Sequence, residues 1–324
     1  MQRADRSGNK AIVAQSLSRV DEFRAHPQFL TAFEQCARGL VQMYRGNRIL
    51  NRILNDRGRV AFGVFALYLD AMPDENGVGL TVTRIANLCQ EQGVCSRGRA
   101  KAMVLLMRWA GYLETGPESG PNRRQRPLLP TPRLMAEHIK RWQHMYGALS
   151  LIDPVGEQVL LHIEERAFAR ALLRQVGHRF QAGMRILHHA PEASLFAERD
   201  AGLLIAMSLL ISRTEDDVFP PRNPVPVPVA ALARQFFVSR AHVLKLLREA
   251  ESEGLIVRTP SASGNVQLAE PMRRAMTNFF LTMFSVMADA ARAAVAEYEA
   301  QADLRDDRHP VRDFPAIRFG QAPP

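Results

Sequence analysis

Cysteine is scarce in this chain, and the cysteines that occur form no recognisable framework. Cys36, Cys89 and Cys95 are the three present, and none belongs to a C-x-x-C pair. Neither a disulfide-stabilised secreted fold nor a cysteine-rich zinc site is indicated. We therefore expect a protein of the reducing cytoplasm.

Long apolar runs and the short motifs of common enzymes are also missing. The longest apolar run, Gly202–Ile211, is half the length of a membrane span, and the N-terminus lacks the apolar segment of a signal peptide. The patterns G-x-x-x-x-G-K-[ST], G-x-S-x-G and H-E-x-x-H do not occur. The pairs His188–His189 and Glu164–Glu165 lack the further residues that a metal site or a catalytic carboxylate pair needs. We predict no membrane insertion, no metal or other cofactor and no enzymatic activity.

The charge of the chain is unevenly distributed. Its net charge is +9, and residues 1–150 contain 22 Lys and Arg against 12 Asp and Glu, whereas residues 151–324 contain 20 against 21. A basic half favours a polyanionic partner, most simply a nucleic acid.

One sequence pattern occurs twice, 143 residues apart. Ser96-Arg97 is followed after thirteen residues by Gly111-Tyr-Leu and then Pro117, and Ser239-Arg240 is followed at the same spacing by Gly254-Leu-Ile and Pro260. A repeat without gaps over this length indicates an internal duplication. In each copy the serine is a suitable N-cap for a helix, and the glycine suits the left-handed residue that ends it.

The flanking patterns predict a helix, a turn, a second helix and a β-hairpin in each copy. Thr81–Gln90 and Val229–Phe236 are the first helices, and Arg97–Trp109 and Arg240–Glu251 are the second helices. Tyr112–Glu114 with Leu128–Leu129, and Leu255–Val257 with Val266–Leu268, form the hairpins. The Pro-rich segment Val218–Pro228 cannot be helical.

The fold class predicted from these patterns is mainly α with small β-wings, built from two tandem winged helix-turn-helix units joined by helices. The boundaries are an N-terminal arm over residues 1–26, a first unit over 27–150, a second unit with a long C-terminal helix over 151–302, and a flexible tail over 303–324. In the second helices we expect Ala100, Val104, Leu105 and Trp109, and likewise Val243, Leu246, Leu247 and Ala250, to face the core.

A second helix of this kind enters the major groove of DNA with its N-terminal side chains. The predicted DNA-contacting residues lie at the starts of the two second helices and in the first hairpin loop. They are Ser96, Arg97, Arg99, Lys101, Arg123, Arg124, Arg126, Ser239, Arg240, His242 and Lys245.

Residues 229–256, with the sequence VAALARQFFVSRAHVLKLLREAESEGLI, resemble the helix-turn-helix and first wing strand of bacterial winged-helix regulators. The multiple-antibiotic-resistance regulator (MarR) family is the most similar pattern, and Ser96–Leu113 resembles the same segment more weakly. The resemblance implies a subunit that binds DNA as a dimer over a palindromic site. Two units in one chain would form a pseudo-dimer, although their unequal charge departs from the family pattern.

The main functional hypothesis is sequence-specific binding of double-stranded DNA by a transcriptional regulator in the cytoplasm, associated with the nucleoid. One alternative is a plasmid-type replication initiator, which also carries two winged helices. Another is a protein-interaction or chromosome-organisation factor. The apolar residues Phe279, Phe280, Met283, Phe284 and Met287 favour a homodimer through the C-terminal helix.

Overall fold

The computed structural model describes residues 2–117, 126–259 and 264–306, with side chains from residue 7 to residue 301 of these ranges. This part of the chain is mainly helical and has two small antiparallel sheets, which confirms the predicted fold class at that level. The helices of the first half are α1 Gln2–Leu17, α2 Val20–Ala25, α3 Phe29–Tyr44, α4 Arg48–Ile53, α5 Arg57–Ala71, α6 Val82–Glu91, α7 Arg97–Trp109 and α8 Pro132–Leu149. Those of the second half are α9 Val155–His162, α10 Arg166–Gln181, α11 Ser194–Ala197, α12 Gly202–Leu210, α13 Val229–Phe236, α14 Arg240–Ser252 and α15 Glu270–Asp306.

Each sheet contains a hairpin that follows one of the two repeated helices. Strands β1 (Leu113–Thr115) and β2 (Leu128–Pro130) pair antiparallel after α7, with Leu113 opposite Pro130. After α14, strands β4 (Ile256–Arg258) and β5 (Asn265–Leu268) pair with Ile256 opposite Leu268. A third strand, β3 (Val225–Pro226), adds to β5 from the Pro-rich segment, where no strand was expected.

The long helix α15 lies inside the molecule. It packs against α1, α2, α9 and α10, and Phe280 and Phe284 are completely buried. By length and composition Glu270–Gln301 could cross a membrane, but 61% of its most apolar stretch is buried inside the protein, as in a core helix. The apolar side of this helix is thus largely covered within the chain, and the homodimer through it stays a prediction.

The first and second halves of the chain share one hydrophobic core. Phe65 of α5 and Phe180 of α10 pack edge to face, with ring centroids 4.8 Å apart. Arg170 of α10 donates a 3.0 Å hydrogen bond to the Asp70 carboxylate at the end of α5. Contacts between α5 and α10 therefore fix the two halves relative to each other. The predicted domain boundaries at residues 26, 150 and 302 remain predictions.

Two breaks separate neighbouring helices. Helices α4 and α5 are separate because Asp56 caps α5 by accepting a hydrogen bond from the Arg59 backbone N–H. Helix α12 begins after Ala201, which adopts a left-handed conformation with φ of 55°. The predicted N-terminal arm contains helices α1 and α2, and α15 extends to Asp306 in the predicted tail. Residues 307–324 lie outside the described residues.

A buried histidine in α8 makes the stability of the fold dependent on pH. Burial, together with the nearby Arg141, lowers the pKa of His138 to about 3. Below about pH 6.5 the unfolded chain therefore binds a proton at this histidine that the folded chain does not bind. The free energy of unfolding then decreases as the pH falls, by up to ~1.4 kcal/mol per pH unit. We expect the free energy of unfolding in urea to drop between pH 7 and pH 5, and to drop less in His138→Leu. An equal drop in both proteins would contradict this role of His138.

Candidate nucleic-acid interface

Local capping contacts define helices α6 and α7, which are the first predicted helix-turn-helix. The Thr81 hydroxyl accepts a hydrogen bond from the Arg84 backbone N–H at 3.1 Å and starts α6. The Ser96 hydroxyl accepts from the Arg99 N–H at 3.3 Å and starts α7. Gly111, with φ of 72°, ends α7 and leads into β1. The cap at Ser96 and the glycine turn at Gly111 confirm the prediction, and both depend only on neighbouring residues.

The N-terminal half of α7 presents uncompensated positive charge. Arg97, Arg99 and Lys101 are exposed, as predicted. The helix contains four basic residues, Arg108 being the fourth, and no acidic residue. Within the described ranges, Arg97, Lys101 and Arg108 have no carboxylate within 4.0 Å, and Arg99 lies 4.0 Å from the Asp56 carboxylate. Helix α7 thus presents exposed cationic side chains, most of which have no carboxylate partner among the described residues.

The first hairpin begins directly after the C-terminal end of α7, and Arg126 is exposed just before β2. The predicted contacts Arg123 and Arg124 lie outside the described residues.

Helices α13 and α14, the second predicted helix-turn-helix, have the same order of cap and turn with a different turn residue. Phe237, with φ of 55°, replaces glycine as the left-handed residue after α13. The Ser239 hydroxyl accepts a hydrogen bond from the His242 N–H at 3.0 Å, which confirms the second predicted cap. Ser239 and Arg240 are exposed at the start of α14.

The positive charges of the second unit are largely engaged within the chain. His242 is half-buried, and its Nε2 donates a 2.9 Å hydrogen bond to the Asp200 carbonyl. Lys245 lies 3.8 Å from the Glu249 carboxylate, which also accepts from Arg199 at 3.0 Å. Arg199, His242, Lys245, Leu246 and Glu249 line a shallow cleft of about 200 Å³. The α14 surface is therefore partly neutralised, unlike that of α7.

A short series of polar contacts joins the starts of α7 and α14. Arg99 approaches Asp56 at 4.0 Å, and Arg59 contacts the same carboxylate at 3.1 Å. Arg59 also reaches the Asp200 carboxylate at 3.5 Å, and Asp200 accepts the His242 hydrogen bond through its carbonyl. The starts of the two repeated helices are thus linked through three intervening residues, Asp56, Arg59 and Asp200. Sequence reasoning missed Asp56, Arg59 and Asp200, because only the tertiary packing brings them between the two motifs.

The outer faces of the two helices differ at corresponding positions. Leu105 and Trp109, which were predicted to face the core, are 65% and 73% exposed, and that prediction is wrong. Met103 and Met107 occupy the core positions together with Ala100 and Val104, which sets the rotation of α7. At the positions that correspond to Leu105 and Trp109, α14 has Arg248 and Ser252, both exposed. The spacing of the two methionines was the signal that could have shown this rotation.

The described part of the chain holds no candidate metal cluster, and burial makes two of its cysteines unreactive. In its residues no group of three or more His, Cys, Asp or Glu side chains is placed to hold a metal ion. Burial raises the pKa of the Cys36 and Cys89 thiols, which makes them poor nucleophiles. The exposed cationic helix α7 and its hairpin are therefore the best-defined candidate site.

Comparisons of the chain with protein-family profiles, with curated protein sequences and with solved structures found no match.

Proposed function

We propose that this protein binds double-stranded DNA through two winged helix-turn-helix units and regulates transcription. The observation that carries the proposal is helix α7, which is capped by Ser96, exposes Arg97, Arg99 and Lys101 at its start and is followed by a β-hairpin. A helix fits the major groove, and arginine at its start can reach phosphates or the O6 and N7 atoms of guanine. The second unit has the same local order of elements and adds a second DNA-facing helix.

The two units contribute unequally in this proposal. Helix α7 has four basic and no acidic residues, whereas α14 has three basic residues and two acidic ones, Glu249 and Glu251. Glu249 and Glu251 also hold Lys245 and Arg258 in ion pairs. We therefore assign most of the phosphate contacts to the first unit and a smaller share to the second.

The placement of the two helices favours a compact DNA site. Contacts of 4.0 Å or shorter link the starts of α7 and α14 through Asp56, Arg59 and Asp200, so the proposal places both helices on one stretch of DNA rather than on half-sites ~34 Å apart. A single chain is accordingly expected to cover adjacent parts of one site. The simple palindrome implied by the family resemblance is not expected for one chain.

A second candidate function is that of a protein-interaction factor, which the exposed Leu105 and Trp109 favour. Isolated apolar side chains are common on surfaces, but two on one helix face suit a contact surface. The absence of acidic residues on the same helix favours the nucleic acid as the partner.

Selection from a randomised duplex pool tests the proposal. The purified full-length chain is incubated with the pool, and the bound duplexes are sequenced over several rounds at about 100 mM salt. We expect one compact motif to be enriched. Enrichment of no motif, with the protein folded by circular dichroism, would contradict sequence-specific binding.

A further inference from the structure

The outward centre of α7 is apolar although its flanks are basic. Gly98, Ala102, Leu105 and Trp109 follow one another at i, i+4, i+7 and i+11, so they form a single row along the exposed side. Arg97, Lys101 and Arg108 lie along one edge of this row. The row runs along the side opposite the buried residues Ala100, Met103, Val104 and Met107.

The start of this row carries only small side chains, which allows a close approach to DNA. A Cβ atom built on Gly98 meets nothing within 4 Å, and Ala102 is exposed, so the first two turns present little bulk. From Gly98 to Leu105 the helix rises about 10.5 Å, which is comparable to the ~12 Å width of the major groove. Trp109 lies one turn further on, where the rim of the groove exposes deoxyribose.

Apolar side chains can recognise one feature of the major-groove floor, namely the C5-methyl group of thymine. The cations along the row favour a polyanion over an apolar protein partner. We infer that α7 selects thymine through Ala102 and Leu105, with Trp109 packed on a neighbouring sugar. This inference rests on the proposed DNA binding and names the base chemistry that the first unit reads.

The second unit presents different chemistry at the same positions. Lys245, Arg248 and Ser252 correspond to Ala102, Leu105 and Trp109, at a constant separation of 143 residues. Such side chains hydrogen-bond to guanine or phosphate and do not select methyl groups. The two units therefore read different bases, and the preferred site has a thymine-containing part and a part without methyl readout.

Replacement of thymine by deoxyuridine in the selected duplex tests the inference, because deoxyuridine lacks only the methyl group. For the full-length protein we expect the affinity to fall about fourfold for each contacted methyl group removed. Leu105→Ala should bind thymine and uracil duplexes about equally. Leu105→Arg, which installs the residue of the second unit, should also lose the discrimination and show a steeper salt dependence. Leu161→Ala removes another exposed leucine, 77% exposed on α9 against 65% for Leu105, and should keep the wild-type discrimination.

The outcomes separate the inference from the proposed function. If the wild-type protein binds both duplexes with equal affinity, DNA binding stands and the inference fails. If the discrimination persists in Leu105→Ala, Leu105 is not the reader and the inference also fails. If the folded wild-type protein binds no duplex at all, the proposed function fails as well, and the apolar row serves another partner.

Tryptophan emission gives an independent readout. The chain contains two tryptophans, and Trp142 is buried while Trp109 is exposed. Addition of the thymine duplex should change the emission of the wild-type protein, and the change should be absent in Trp109→Phe. A change of equal size in Trp109→Phe would overturn the placement of Trp109 on the DNA.

Discussion

Replacement of Arg97, Arg99 and Lys101 by alanine is expected to lower the affinity of the chain for duplex DNA by about 100-fold, at ~1 kcal/mol for each lost contact. These side chains are exposed at the start of α7, and the described surroundings neutralise at most one of them. The Ser96 cap is retained, and alanine favours helix, so the variant should fold. Fluorescence anisotropy with a labelled duplex at about 50 mM salt measures the loss.

The matched variant replaces Arg240, His242 and Lys245 of the second unit. Its expected loss of affinity is below about tenfold, because a carbonyl already holds His242 and Glu249 already pairs with Lys245, so fewer free contacts are removed. Equal losses in the two variants would contradict the unequal roles of α7 and α14. Unchanged affinity in the α7 variant would show that α7 is not part of the DNA interface.

A large effect on stability is expected at the contact between α5 and α10. A Cβ atom added at Gly177 would lie 2.1 Å from Cδ2 of Tyr68, whose ring is buried. Gly177→Ala should therefore lower the free energy of unfolding by about 1–3 kcal/mol or more, as overpacking does. Urea unfolding followed by circular dichroism measures it.

Gly147→Ala in α8 is the control for this substitution. A Cβ atom there meets nothing within 4 Å, so alanine should stabilise the helix by about 0.5–1 kcal/mol. If the two substitutions change stability by the same amount and in the same direction, the close packing of Tyr68 on Gly177 is not present in solution.

The sequence predicted those parts of the structure that depend on neighbouring residues. Local preferences account for the serine caps at Ser96 and Ser239, for the turn at Gly111 and for the strand that begins at Leu128. The duplication supported them, because one pattern at two places is better evidence than a single motif.

The sequence did not show how the helices are rotated or what covers them. Leu105 and Trp109 fit an apolar stripe as well as Met103 and Met107 do, and only packing decides between these sets. The hydrogen bond between His242 and Asp200 joins residues 42 positions apart, and it depends on the left-handed turn at Ala201. A left-handed alanine is unusual, so no local preference predicts this turn. The sequence showed the unequal charge of the two units, and the tertiary structure added that His242 and Lys245 are engaged within the chain.

The central claim is that the folded chain binds duplex DNA, and the salt dependence of that binding tests it most directly. Anisotropy titrations of a labelled duplex with the full-length protein are made from about 50 to 300 mM salt. Log K should fall linearly with log salt, by ~0.9 for each phosphate contacted, because each contact releases counterions. A folded protein that binds no duplex at the lowest salt, or binds with no dependence on salt, would contradict the claim.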